Sequence, residues 1–179
     1  LVDAAFERIE AVDGPVNALP TLCPERARDH AASVDVDGTM LGGIPVAIKD
    51  LTEVAGVRST YGSPLFADLV PERSDILVER LEERGAIVTS KSNTPEFGAG
   101  ANTFNEVFGK TRNPWNTDMT CGGSSGGAAV ALATGMTWLA TGSDLGGSLR
   151  TPASFCAVVA GVTPTSCSPI CLRLLPQVA

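Results

Sequence analysis

An α/β fold is predicted by three features of this 179-residue chain. Ile44 to Ile48 and Ala86 to Thr89 are short apolar runs of strand character. A helical pattern over Asp75 to Arg84 separates them, which is the order of a βαβ element. The composition, 44% apolar and 18% charged, is that of a globular protein with one sizeable core or part of a larger one.

The elements follow in order. Val2, Ala5, Phe6, Ile9 and Val12 recur at helical spacing, and Asp13-Gly14-Pro15 predicts the end of that helix. Pro24 to Ala32 reads as a second, more polar helix with proline in its first turn. Asp35 to Gly43 is a turn-rich connection to the first strand, which ends at Lys49-Asp50. Ser59 to Glu72 reads as a loop. Ser74 is placed to cap the helix over Asp75 to Arg84, and Gly85 to close it. Asn93 to Asp118, rich in Asn, Gly and Pro, predicts a long irregular loop with one short helix. Helical composition over Ala128 to Thr134, a strand at Trp138 to Thr141, a short helix at Thr151 to Cys156 and a buried strand at Ala157 to Val162 complete the chain. No internal repeat or domain boundary is evident, so residues 1–179 read as one unit. Leu1 already lies in a helical pattern, which predicts a fragment.

Charge and cysteine content narrow the function. A net charge of −7 with ten scattered arginines argues against nucleic acid as a partner. No apolar run reaches the roughly 18 residues of a membrane span. Five irregularly spaced cysteines predict free thiols and a reducing, cytoplasmic setting. Cys167 and Cys171 lack a second ligand pair, so no metal site is expected.

The chemistry concentrates between Cys121 and Arg150. Two glycine-flanked serines, Ser124 in GGSSGG and Ser148 in GGSLR, stand 24 positions apart. Glycines leave the neighbouring N–H groups open to a ligand, so two such serines suggest one shared pocket. A serine nucleophile needs a base. The one histidine, His30, lies in the charged segment ERARDHAA and reads as solvated, so a Ser-His-Asp triad is not expected. Of the three lysines, Lys49 and Lys91 each end an apolar strand, where burial would favour the neutral amine, and the residues alone do not separate them. Gly146 and Gly147 before Ser148 offer the backbone donors of an oxyanion hole. Asp144 and Arg150 flank that serine and read as structural support. The first glycine loop precedes a helix but lacks the GK[ST] ending of a phosphate loop, which makes nucleotide binding its weaker use.

These segments, GGSSGGAAVALATG and GSDLGGSLRTPASFC, together with GIPVAIKD, SKSNTPEFGAGANTFN and RNPWN, closely resemble the amidase signature family of serine hydrolases. The resemblance runs from RIEAVDGPVNALPTLC to AVVAG. It implies a mixed β-sheet core flanked by helices, here only the N-terminal portion, with leader helices and the C-terminal half missing. It implies a Ser–cisSer–Lys set: Lys49 as base, Ser124 in a cis peptide as proton bridge, and Ser148 as nucleophile. Ser125, Asp144 and Arg150 support them, and the N–H groups of Leu145, Gly146, Gly147 and Ser148 hold the oxyanion. No metal or organic cofactor is implied. The implied partner is a small amide substrate, with homo-oligomers expected where an incomplete fold leaves apolar surface uncovered. Thr163 stands where the family has a basic residue, and residues 163–179 resemble nothing expected. The alternatives are the A subunit of a glutamine-dependent tRNA amidotransferase, from which the wording EFGAGANTFNEVFG leans towards stand-alone amidases, and an inactive fragment.

Overall fold

A computed structural model describes residues 1–161 and the backbone of Ile170–Arg173. The helices are α1 (Val2–Val16), α2 (Pro24–Ser33), α3 (Ile76–Glu83), α4 (Gly126–Ala133) and α5 (Arg150–Cys156). The strands are β1 (Thr21–Leu22), β2 (Pro45–Lys49), β3 (Ile87–Ser92), β4 (Phe104–Asn105), β5 (Gly109–Lys110), β6 (Leu139–Gly142), β7 (Val159–Ala160) and β8 (Ile170–Arg173). Six of them form one mixed sheet in the order β1-β3-β2-β6-β8-β7, and β4 pairs with β5 separately. β2 is parallel to both β3 and β6, with α3 as the crossover between β2 and β3. The architecture is therefore the predicted α/β one, with antiparallel β1 and β8 making the sheet mixed.

The interior strand β2 carries no exposed residue. Alternate side chains of a strand face opposite sides. Ala47 accordingly packs in one cluster with Ala128, Val130, Leu132 and Ala140, while Val46 and Ile48 pack in another with Val54, Val78 and Val88. Helix α4 is buried on nearly every side, which its sequence GGAAVALA permits because no residue in it is charged. Burying Val130 or Leu132 stabilises the fold by about 1.5–3 kcal/mol each. Between Val88 and Ser90, β3 carries one extra residue, Thr89, against β2. This bulge puts Val88 and Lys91 on the same face, opposite the face of Lys49.

Several element ends differ from the sequence reading. Helix α1 runs through Gly14 and Pro15 and stops at Asn17, which is left-handed at φ 55. The Asp13 carboxylate accepts the N–H groups of Ala18 and Leu19, so it fastens the exit beyond the helix. The cap of α3 is Asp75, not Ser74: Asp75 accepts the Leu77 N–H, while the Ser74 hydroxyl accepts that of Ala55. The long loop contains one 3-10 turn, Glu96–Gly98, and the small β4–β5 pair. Of the expected buried strand over 157–162, the described residues 157–161 form strand only at Val159–Ala160, with Val159 exposed, because left-handed Ala157 closes α5; Val162 lies outside the described residues. Expectations for the tail lie outside the described residues, apart from the backbone of β8.

Candidate active site

Lys49 ends β2 on the face of Ala47, the side covered by α4. Its ammonium nitrogen therefore reaches the N-terminus of that helix, where Ser124 and Ser125 sit. Nζ lies 2.7 Å from Ser124 Oγ, 3.0 Å from Ser125 Oγ and 2.9 Å from Ser143 Oγ. The Gly123–Ser124 peptide bond is cis. Glycine at 127 lets α4 come this close, because a Cβ there would collide with the backbone nitrogen of Asn93. Lys49 is 1% exposed. Burial pushes its amine down to about 7, against the opposing charge of Asp144.

Lys91 is equally buried and differs in its partners. On the opposite face its Nζ pairs with Asp50 at 2.8 Å and donates to Ser59 Oγ at 2.7 Å. Asp50 also accepts the N–H and the hydroxyl of Thr60. Burial lowers the Lys91 amine as well, and the Asp50 carboxylate opposes it. Lys91 is thus one half of a buried ion pair, whereas Lys49 meets hydroxyls alone.

The loop between β6 and α5 carries the second serine. Asp144 organises it, accepting the N–H groups of Gly147, Leu149 and Arg150 and both Nε and Nη2 of Arg150. The Arg150 guanidinium and these N–H groups hold the Asp144 carboxyl well below the usual range. The Ser148 carbonyl accepts the Ser125 N–H at 2.9 Å, so the two serine segments touch through their backbones. The Ser148 hydroxyl donates to the Leu145 carbonyl at 3.2 Å. Among the described residues no hydrogen bond joins the hydroxyls of Ser124 and Ser148. Of the four expected oxyanion donors, Gly147 N–H is taken by Asp144. Those of Leu145, Gly146 and Ser148 have no acceptor among the described residues.

Ser143, a partner of Lys49, was missed by sequence reasoning. It lies one residue beyond β6, and no motif or spacing in the sequence tied it to Lys49. The first glycine loop offers little to a phosphate. The N–H groups of Gly122, Ser125, Gly126 and Gly127 already bond to Thr120 Oγ1, the Ser148 carbonyl, Thr103 Oγ1 and the Asn93 carbonyl. His30 lies on α2 with Nδ1 3.6 Å from Glu82. Gly98, left-handed at φ +69, passes over the centre: a Cβ there would lie 3.7 Å from Ser124 Oγ. Cys23, Cys121 and Cys156 are buried free thiols, Cys167 and the side chain of Cys171 lie outside the described residues, and no described helix is long and apolar enough to cross a membrane.

Comparison with known proteins places the chain in a family. The family model described as Amidase matches residues 1–169. The chain is 48% identical over 168 residues to the A subunit of glutamyl-tRNA(Gln) amidotransferase from Moorella thermoacetica, covering 90% of this chain and 34% of that protein. It is 43% identical over 171 residues to the protein of the same name from Alkaliphilus metalliredigens, covering 92% and 35%. Among solved structures, 6-aminohexanoate cyclic dimer hydrolase complexed with substrate superposes with a TM-score of 0.84 at 32% identity, over 89% of this chain and 33% of that one. The A subunit of glutamyl-tRNA(Gln) amidotransferase from Thermotoga maritima superposes with a TM-score of 0.80 at 37% identity, over 92% and 35%. The chain spans about a third of the length of the curated relatives it matches.

Proposed function

The chain belongs to the amidase family, and on that premise we propose that it hydrolyses a carboxylic amide through an acyl-enzyme on Ser148. The observation that carries this reading is the buried Lys49 amine, 2.7 Å from Ser124 Oγ and without a carboxylate partner among the described residues. A lysine in that setting is half neutral near pH 7 and has a lone pair to offer.

Lys49 takes the proton of the Ser124 hydroxyl as Ser124 takes that of Ser148. Ser148 must first leave the Leu145 carbonyl, a hydrogen bond worth about 1 kcal/mol, and turn towards Ser124. Its oxygen then bonds to the amide carbon. The oxyanion so formed meets the N–H groups of Leu145, Gly146 and Ser148. The C–N bond breaks as the proton returns through Ser124 to the leaving nitrogen, and water cleaves the ester to free the acid and Ser148. The reaction so written uses no metal or organic cofactor.

The names of the curated relatives favour a second reading, the A subunit of a tRNA amidotransferase, in which the amide is that of glutamine and the nitrogen passes to a partner. The chemistry at Ser148 is the same in both.

A fluorophosphonate, which marks activated serines without regard to substrate, tests the proposal. The parent should be labelled on Ser148. Ser148→Ala should lose labelling and amide turnover by about 10³-fold or more with an unchanged circular dichroism spectrum. A Ser148→Ala protein that keeps the parent's turnover sinks the reading, and an unlabelled parent points to an inert fragment. Turnover of simple amides by the purified chain favours a stand-alone amidase, whereas glutamine deamidation only alongside co-purified protein partners favours the second reading.

A further inference from the structure

We infer that Ser143 is a positioning residue for Lys49: its hydroxyl is the third oxygen of a cradle fitted to the ammonium form, and it directs the lone pair of the amine form at Ser124. The catalytic consequence rests on the function proposed above, while the geometry stands without it.

A protonated lysine has three N–H donors, and three hydroxyl oxygens surround Lys49 Nζ at 2.7, 3.0 and 2.9 Å. Ser125 is committed: its hydroxyl donates to the Ser143 carbonyl at 3.3 Å and its oxygen accepts the Ser143 N–H at 3.2 Å. Towards Lys49 it can therefore only accept. The Ser143 hydroxyl has no other partner among the described residues. In the ammonium state all three oxygens accept. In the amine state two N–H groups remain, and when Ser125 and Ser143 take them the lone pair is left facing Ser124, the one hydroxyl that must give up its proton.

Removing the Ser143 hydroxyl then has two effects. The ammonium loses a charge-assisted acceptor that the amine does not strictly need, so protonation becomes harder. The amine can also spend its second N–H on Ser124, which turns the lone pair away. Other charges near Lys49 remain in place in such a variant. Asp144, tied to Arg150, lies in the same loop as Ser143, Asp50 is locked to Lys91 across the sheet, and α4 brings no titratable side chain. Ser143→Ala keeps the backbone contacts of residue 143 to Ser125, so the hydroxyl alone is tested.

The experiment uses the whole chain, which contains only three lysines, Lys49, Lys91 and Lys110. Their side-chain ¹³Cε signals are titrated by NMR in the parent, Ser143→Ala, Ser143→Gly and Ser143→Thr, and phosphonylation of Ser148 is followed against pH. In Ser143→Ala the Lys49 midpoint should fall by about 0.5–1 pH unit, the labelling profile should move with it, and the plateau rate should drop about tenfold. Ser143→Thr should restore midpoint and rate, and Ser143→Gly should reproduce the alanine shift if alanine disturbs folding. A Lys49 midpoint in Ser143→Ala equal to or above the parent's overturns the inference, as does a threonine variant that shifts like alanine. A parent that is never phosphonylated defeats the Ser148 reading, while the lysine titration still decides the role of Ser143.

Discussion

The two buried lysines have almost the same local sequence setting, and their partners give them opposite physics. Lys91 shares a buried ion pair with Asp50. Replacing it by methionine strands a buried carboxylate, and the expected loss is about 3–5 kcal/mol. Lys49 meets only hydroxyls, so Lys49→Met removes a costly buried amine and leaves no charge behind. Its stability should stay within about 1 kcal/mol of the parent, while labelling of Ser148 is lost. Urea denaturation at pH 8 of the two variants checks the contrast, and equal losses would contradict it. The sequence could not separate these residues because the difference arises from the Thr89 bulge, which turns Lys91 to the face opposite Lys49. Only the family resemblance, through the IKD motif, singled out Lys49. Ser143 was illegible for a related reason: its contact with Lys49 spans 94 positions and depends on β2 and β6 being neighbours.

At the scale of elements, strands and helices were legible because continuous apolar runs mark β2 and the start of β3, helical periodicity marks α1, and an uncharged, alanine-rich composition marks α4. Their ends were less so, since a cap is chosen by three-dimensional competition. Ser74 and Asp75 both suit the start of α3, and Ser74 is drawn away by the Ala55 N–H. The loop from Ser143 to Leu149 shows the same principle at the candidate site. One carboxylate, Asp144, satisfies three N–H groups and a guanidinium, and so fixes the segment that presents Ser148. Asp144→Ala should cost about 1–3 kcal/mol through the unsatisfied donors and slow phosphonylation of Ser148 at least about tenfold. A rate equal to the parent's would show that the loop is held by other contacts. Because the folded pKa of Asp144 is depressed, its contribution is present above the ordinary aspartate value of 3.8 and is lost as pH falls through the lower folded value. The loop should therefore outlast mild acid.

For the whole molecule, the buried titratable groups set an alkaline stability maximum. Lys49 has a folded pKa of about 7 against an ordinary 10.5. Between those values the unfolded chain binds more protons than the folded one, so stability rises with pH. Lys91, also lowered, acts in the same direction. Three buried thiols oppose them at higher pH. Cys23 and Cys121 are pushed up to about 11 and Cys156 to about 12 by burial, against an ordinary 9.0. Their stabilisation is complete below 9.0 and is lost as pH rises through the folded values, because the unfolded thiols ionise first. Three groups then outweigh the lysines. The urea midpoint, measured with a reductant present, should climb from pH 7 to about 8.5 and decline beyond about 9.5. Lys49→Met should flatten the climb without removing the decline, and Cys156→Ala should soften the decline without touching the climb. A midpoint that is level or falling between pH 7 and 8.5 would mean that Lys49 stays protonated in the folded chain, and the proposed base would be lost with it.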